Sequence, residues 1–383
     1  MSPVGFLVGA ADVALSLVSI AALFGNKAPD PNEPTTVTLA IGEAPNAGGS
    51  VPHIAVWDKN GDRVGQYKGD ANGHYDDEST YSITIPHDQN GHKQAQPEYV
   101  SIVMHESDAI CLTAVLASGD SQQWAWNGDL AATCGAQWYP SKFSIGGSNS
   151  PRHCAWLDSD YSNGIIAKGL SLHIRDFAGE EDLVEQYKKD KRRLCQNTAR
   201  MTFHHNILPD SPIKIFKPPL PYTTGGRLID GDRTTGGALK DPDQGIDRKT
   251  SAYPDGTDLR DLKGKKKKKR AGDSISDTKG VRSNVKGLKN NMPDDLVISH
   301  LKGHSAKNVC DSGTSLGPDF ISMYEKVFCD MQTGDWWPLC DSTKKYNCFD
   351  LVTKTLKFDR GAKRDLEKRG KEGGGYKRVK EWQ

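Results

Sequence analysis

Short runs in which apolar and polar residues alternate dominate the first half of the chain. Residues 36–45 (TVTLAIGEAP) begin the pattern, and Tyr81–Ile85 and Tyr99–Met104 repeat it. Alternation with a period of two lets a strand bury one face and leave the other to solvent. Ile54–Trp57 and Val64–Tyr67 flank Asp58-Lys-Asn-Gly-Asp62. Asn-Gly tolerates two positive φ angles, so these runs predict a hairpin with a tight turn. Ala109–Leu112 with Ala114–Leu116 predicts a buried strand, Trp124 and Trp126 alternate around Ala125, and Gly164–Ile174 predicts one more pair of strands. Short strands at this spacing, separated by Gly, Asn and Asp, predict a mainly β fold, an antiparallel β-sandwich of jelly-roll-like type over residues 36–178. No ten-residue helical pattern interrupts them, which argues against a parallel α/β sheet.

The pattern changes at Asp176. Residues 180–195 (EEDLVEQYKKDKRRLC) place Leu183, Val184, Tyr187 and Leu194 on or near one face, so 179–207 is expected to carry an amphipathic helix that caps the sandwich. Residues 208–295 lose periodicity and contain Pro218-Pro-Leu-Pro221, repeated Gly and Asp, and Lys265–Lys269. They read as a disordered basic linker. Order returns over 296–358, a small cysteine-rich module whose aromatic residues are Phe320, Phe328, Trp336, Trp337 and Phe349. Such a core is too small to hold itself without disulfides. The tail 359–383 is charged, but Tyr376–Trp382 alternates, which suits either an added edge strand or a frayed end.

Eight cysteines sharpen this division. Cys111, Cys134, Cys154 and Cys195 form one group and Cys310, Cys329, Cys340 and Cys348 another, with none between. Two even groups predict two separately stapled modules in an oxidising compartment. Residues 13–24 (VALSLVSIAALF) are apolar, too short to span a bilayer, and fit the core of a signal peptide over 1–28 with Ala21, Ala22 or Ala28 near the cut. No Lys or Arg precedes that run, a departure from the usual signal. The near-zero net charge of +1 hides an asymmetry. Residues 28–177 hold 8 Lys and Arg against 18 Asp and Glu, whereas 178–383 hold 41 against 30.

Several segments carry a resemblance. They are Cys134-Gly-Ala-Gln-Trp-Tyr-Pro140, Cys154-Ala-Trp-Leu-Asp-Ser-Asp-Tyr-Ser-Asn-Gly164, and Gly303-His-Ser-Ala-Lys-Asn-Val-Cys310 with the following Asp311–Phe320. Phe328-Cys329-Asp330, Trp337-Pro-Leu-Cys340 and Cys348-Phe-Asp350 add to them. Together they resemble a group of uncharacterised secreted proteins of filamentous ascomycete fungi. The resemblance covers both cysteine modules and little of the linker. It implies secretion and two modules, and carries over no catalytic residue.

Candidate chemistry is sparse. Asp311-Ser-Gly-Thr-Ser315 has the form of an aspartic-protease loop, but that reaction needs a second such loop and Cys310 stands beside this one. Asp158, Asp160 and Asn163 present three oxygen side chains in a turn, a candidate calcium site, and calcium is the one cofactor these residues offer. His300 and His304 have i, i+4 spacing without the glutamate of HExxH, and the other histidines noted (His87, His92, His105, His204 and His205) are scattered. Ser305 lacks the second glycine of a nucleophile elbow. Trp124 and Trp126, with Trp138 and Tyr139, are candidates for a sugar-stacking surface. Lys265, Lys266, Lys267, Lys268, Lys269 and Arg270 form a basic block that suits nuclear import, an anionic surface, or processing at Lys269-Arg270. It has no interleaved aromatics, so nucleic acid is not an expected partner. The expectation is a secreted, disulfide-stabilised, non-enzymatic protein, effector- or toxin-like, whose partner is an extracellular or host protein or glycan. A calcium-dependent carbohydrate-binding protein and a secreted hydrolase are the alternatives.

Overall fold

The computed structural model describes residues 34–91, 95–119, 122–144, 151–178, 183–184, 187–188, 193–195, 197–221, 281–282, 292–359 and 375–383. The expected signal peptide and the block Lys265–Arg270 lie outside the described residues. The chain divides into two compact units, Met1–Asp258 and Leu259–Gln383.

The first unit is a two-sheet antiparallel sandwich. One sheet runs β10 (Trp138–Ser144), β11 (Pro151–Leu157), β8 (Ile110–Gly119), β1 (Thr35–Ile41), β6 (Thr80–Ile85), with β9 (Gln122–Asn127) also paired to β8. The other runs β13 (Met201–His204), β12 (Gly169–His173), β7 (Tyr99–Val103), β3 (His53–Trp57), β4 (Arg63–Tyr67). β2 (Gly49–Ser50) and β5 (His74–Tyr75) make a small ribbon. Central β8 is buried from Ile110 to Leu116 and beyond, as a run without charges requires. Edge strand β6 alternates, with Ile83 and Ile85 inside and Thr80, Ser82 and Thr84 outside. The sheets meet through Trp126, whose Nε1 lies 3.2 Å from the Met201 sulfur and whose ring lies 6.3 Å from that of Phe203.

The predicted hairpin forms as β3–β4, but its turn differs from expectation. The Asp58 N–H donates to Asp62 O, and Asp58 Oδ1 accepts the N–H groups of Asn60 and Asp62. This carboxylate organises a five-residue loop, in which Gly61 alone of the Asn-Gly pair has positive φ. Gly164–Ile174 supplies one strand rather than two, because Ser162–Gly164 is a helical turn. β10, β11 and β13 were not legible as strands. Pro140 and Lys142 break the alternation in β10, and β13 falls inside the stretch that reads as helix. A short helix, α1 (Asp129–Cys134), also appears. Gly128 before it touches β11 so closely that a Cβ there would lie 2.3 Å from His153 O.

Of the expected helix over 180–195, Leu183, Val184, Tyr187 and Lys188 are helical and Arg193–Cys195 form a tighter turn. Leu183, Val184, Tyr187 and Leu194 are all buried, as the amphipathic pattern requires. The start of the expected 208–295 linker is ordered instead. Residues 208–221 pack on the sandwich, with Ile213, Ile215, Phe216 and Leu220 buried among Ala55, Trp57, Tyr99 and Val103.

The second unit is a mixed sheet ordered β14 (Val281–Arg282), β18 (Asp335–Pro338), β17 (Val327–Asp330), β16 (Asp319–Ser322), β15 (Asp295–Ser299), β21 (Arg378–Trp382). β19 (Cys348–Asp350) and β20 (Thr355–Lys357) form a hairpin beside it. β15 is parallel to both β16 and β21. The helix α2 (Ala306–Asp311), capped by the Ser305 hydroxyl, lies in the crossover between β15 and β16. The module is therefore larger than 296–358, since it takes β14 from the expected linker and β21 from the tail. Leu296, Ile321, Phe328, Trp337, Leu339 and Phe349 form its core, and the Phe328 and Phe349 rings stack at 4.0 Å.

All eight cysteines pair within their own group: Cys111–Cys154, Cys134–Cys195, Cys310–Cys329 and Cys340–Cys348.

Candidate functional site

The densest chemistry lies on one face of the five-stranded sheet. Register puts Ile54, Val56, Val100, Ile102, Leu170, Leu172, Met201 and Phe203 on the face toward the other sheet, all apolar. The opposite face carries His53, Trp57, Tyr99, Ser101, Ser171, His173, Thr202 and His204. Such a face normally meets water. Here residues 208–221 cross it as a strap. The Phe216 N–H donates to the Tyr99 hydroxyl at 2.8 Å, and Arg63 pairs with Asp210 at 2.5 Å.

Under the strap several polar groups pair with one another. Trp57 Nε1 donates to Ser101 Oγ at 2.9 Å, and Ser171 Oγ lies 2.8 Å from His204 Nε2. A hydroxyl and an imidazole at that distance form the core of a nucleophile–base pair. His204 is a poor base, however, because burial, with Lys214 adding, pushes it down to about 3. Among the described residues no carboxylate orients it.

Next to this pair sits a buried charge network. Asp176 Oδ2 lies 2.8 Å from His173 Nδ1 and 3.0 Å from Arg200 Nε. Glu98 stands 3.6 Å from His173 Nε2 and 3.5 Å from Arg175 Nε. The His173 ring lies 4.6 Å from the tilted Tyr99 ring and 5.1 Å, edge-on, from that of Phe216. Burial works against the charge on Asp176, but Arg200 and His173 outweigh it and hold the carboxyl down to about 2. Burial likewise opposes charge on His173, and Asp176 outweighs it, with Glu98, to hold the imidazole above its usual value. The Tyr99 and His173 side chains hold the strap through Phe216, and the backbone carbonyl of Asp176 accepts the hydroxyl of the helical residue Tyr187. The motif reading missed Glu98, Ser171, His173, Asp176 and Arg200. A signal existed, because β7 and β12 both alternate apolar residues with Ser or His.

The residues singled out from the sequence do not gather. Trp124 and Trp126 are 6% and 1% exposed, so the expected sugar-stacking surface is part of the core, as are Trp138 and Tyr139. Period-two alternation in β9 does not tell a solvent face from one covered by a second sheet. The Asp158 carboxylate accepts the Ser162 hydroxyl at 3.0 Å and the Asp160 N–H at 3.4 Å, and Asp160 accepts the Ser162 N–H. Asn163 turns its amide onto Ser162 Oγ. Among the described residues no third His, Cys, Asp or Glu joins the two carboxylates. Burial also pushes Asp158 up to about 6. Two carboxylates whose oxygens are already turned onto Ser162 and the Asp160 N–H fall short of the six to eight oxygens that calcium takes.

In the second unit, Ser312 Oγ accepts the N–H groups of Thr314 and Ser315, making the 311–315 motif a turn. His300 and His304 are not on a helix. His300 Nε2 lies 2.8 Å from Glu381, while His304 is buried with Nδ1 2.7 Å from Ser299 Oγ. Ser305 caps α2 and donates to Glu325.

No protein-family model and no curated protein matches the chain. Among solved structures it is similar to Delta413-417:GS LOX over 24% of its length, at 13% identity and a TM-score of 0.20. It is similar to the same LOX variant in complex with arachidonate over 42% of its length, at 14% identity and a TM-score of 0.22. The matches span 14% and 20% of those chains. Likeness at this level carries no argument about fold or function.

Proposed function

We propose that this is a secreted, disulfide-stabilised protein that works by presenting a rigid surface to an extracellular or host partner, in the manner of an effector or toxin-like interaction protein, and not by catalysis. The observation that carries this reading is the complete pairing of eight cysteines, two bridges to each unit, which suits an oxidising compartment. No helix among the described residues is long and apolar enough to cross a membrane. The resemblance to secreted proteins of filamentous ascomycetes supports the same compartment. The hydroxyl–imidazole pair and the charge network support a non-catalytic role, because the strap covers them. The test is non-reducing peptide mapping of the native protein from culture medium and from cytosol. The expected result is the four bridges, in the medium; a reduced cytosolic protein would sink the proposal. The carbohydrate-binding alternative loses its named residues, since Trp124 and Trp126 are core.

A further inference from the structure

The eight cysteines are not equally sheltered. Seven are buried, none more than 3% exposed, and Cys340 alone is partly open to solvent. Its bridge to Cys348 also closes the shortest loop, 8 positions against 19, 43 and 61. No side chain of that loop is buried: residues 341–346 are exposed and Asn347 is half-buried. The loop is shaped by its own turn, in which Asp341 Oδ1 accepts the N–H groups of Thr343 and Lys344, each at 2.8 Å. The chain on either side is held by more than the bridge. The Cys340 N–H donates to Phe349 O at 2.8 Å, and Leu339 and Phe349 both belong to the core of the unit. Opening this bridge therefore frees a surface loop and leaves those core contacts in place.

Access decides which disulfide meets an external thiolate, because exchange begins with direct attack on one of the two sulfurs. Cys340 offers that access, and Cys348, 0% exposed, is the leaving side. The thiolate released there has lysines about it. Cys348 Sγ lies 3.3 Å from Lys344 O, Lys345 is next in the chain, and Lys357 stands opposite Cys348 in the β19–β20 register. Asp341 and Asp350 are the carboxylates of the same segment; the first is tied into the turn and the second pairs with Lys357. Neighbouring lysines favour a thiolate over a thiol, and a better-stabilised thiolate leaves faster. We propose that Cys340–Cys348 is a thiol-exchange site, opened by an external dithiol ahead of the other three bridges while the second unit stays folded. The reductant's thiolate attacks Cys340 Sγ, the S–S bond breaks, and its electron pair leaves on Cys348, which then takes a proton from water. A mixed disulfide remains on Cys340. The reductant's second thiolate attacks its own bound sulfur and expels Cys340 as a thiolate. Two electrons have then passed to the bridge, and the dithiol departs as its own disulfide.

This site rests on the disulfide-bonded state proposed above, and one experiment separates the two. Oxidised full-length protein is treated with dithiothreitol without denaturant, quenched with iodoacetamide at intervals and mapped by mass spectrometry. Before reduction four bridges are expected; a chain without the Cys340–Cys348 bridge overturns the exchange site and the paired reading together. During reduction Cys340 and Cys348 are expected to be alkylated at least tenfold faster than any other cysteine, with the near-UV circular dichroism and the calorimetric transition of the second unit retained. A brief exposure stopped with acid is expected to catch the reductant on Cys340 and not on Cys348. Four bridges at the start overturn the exchange site alone if Cys340–Cys348 opens no faster than another pair, if the reductant is caught on Cys348, or if the second unit unfolds as that bridge opens.

Discussion

Asp158 and Asp176 are both buried carboxyls, and their surroundings drive them in opposite directions. Asp176 faces Arg200 and His173 and is held low, whereas Asp158 has only hydroxyl and amide partners against its burial and is raised to about 6. The folded protein therefore binds the Asp158 proton more tightly than the unfolded chain does. Stability from this residue falls as pH rises from about 4 to about 6, and its cost is fully present above that. Asp158→Asn keeps an acceptor for Ser162 and removes the cost. It is expected to raise stability at pH 7.5 by up to about 3 kcal/mol and to change little at pH 4. Urea titrations at the two pH values check this; an equal effect at both would show that ionisation is not the cause.

At the scale of elements, the strap over 208–221 decides the character of the five-stranded sheet. Phe216 is buried against His173 and under Arg200, whose guanidinium carbon lies 5.8 Å from its ring, whereas Leu208 at the strap's start is 57% exposed. Phe216→Ala is expected to cost about 3–5 kcal/mol and Leu208→Ser less than about 0.5 kcal/mol, read from thermal or denaturant unfolding of the two variants. The strap also marks the limit of what the sequence makes legible. Strands β1, β3, β4, β6, β7, β8, β9 and β12 follow from alternation or from a continuous apolar run. The strap does not, because Pro218, Pro219 and Pro221 remove periodicity, and its order comes from a partner face assembled from several strands, with Tyr99 and Trp57 more than a hundred residues earlier in the chain. The same long-range contact hides the candidate site. Ser101 and Ser171 look like solvent-facing strand residues until something covers them. Trp124 and Trp126 fail in the other sense, since local pattern cannot show that a second sheet lies over β9.

On the scale of the whole molecule, the disulfides do different work in the two units. The first unit has a large two-layer core, and its bridges join residues 43 and 61 positions apart. The second has a small core and bridges 19 and 8 positions apart. In the chain-entropy account, closing a 19-residue loop is worth about 3 kcal/mol, a large share of what a core of that size supplies. The double substitution Cys310→Ser with Cys329→Ser is expected to abolish or sharply lower the unfolding transition of the second unit while leaving that of the first in place, as calorimetry would show. The order of the bridges has a further consequence. Cys111–Cys154 and Cys134–Cys195 interleave along the chain, so one backbone cut anywhere between Cys111 and Cys195 leaves both fragments joined by at least one bridge. Cys310–Cys329 and Cys340–Cys348 follow one another, so one cut between Cys329 and Cys340 leaves no covalent link across it. A first unit nicked between Cys111 and Cys195 thus stays a single molecule on a non-reducing denaturing gel, whereas a second unit nicked between Cys329 and Cys340 comes apart.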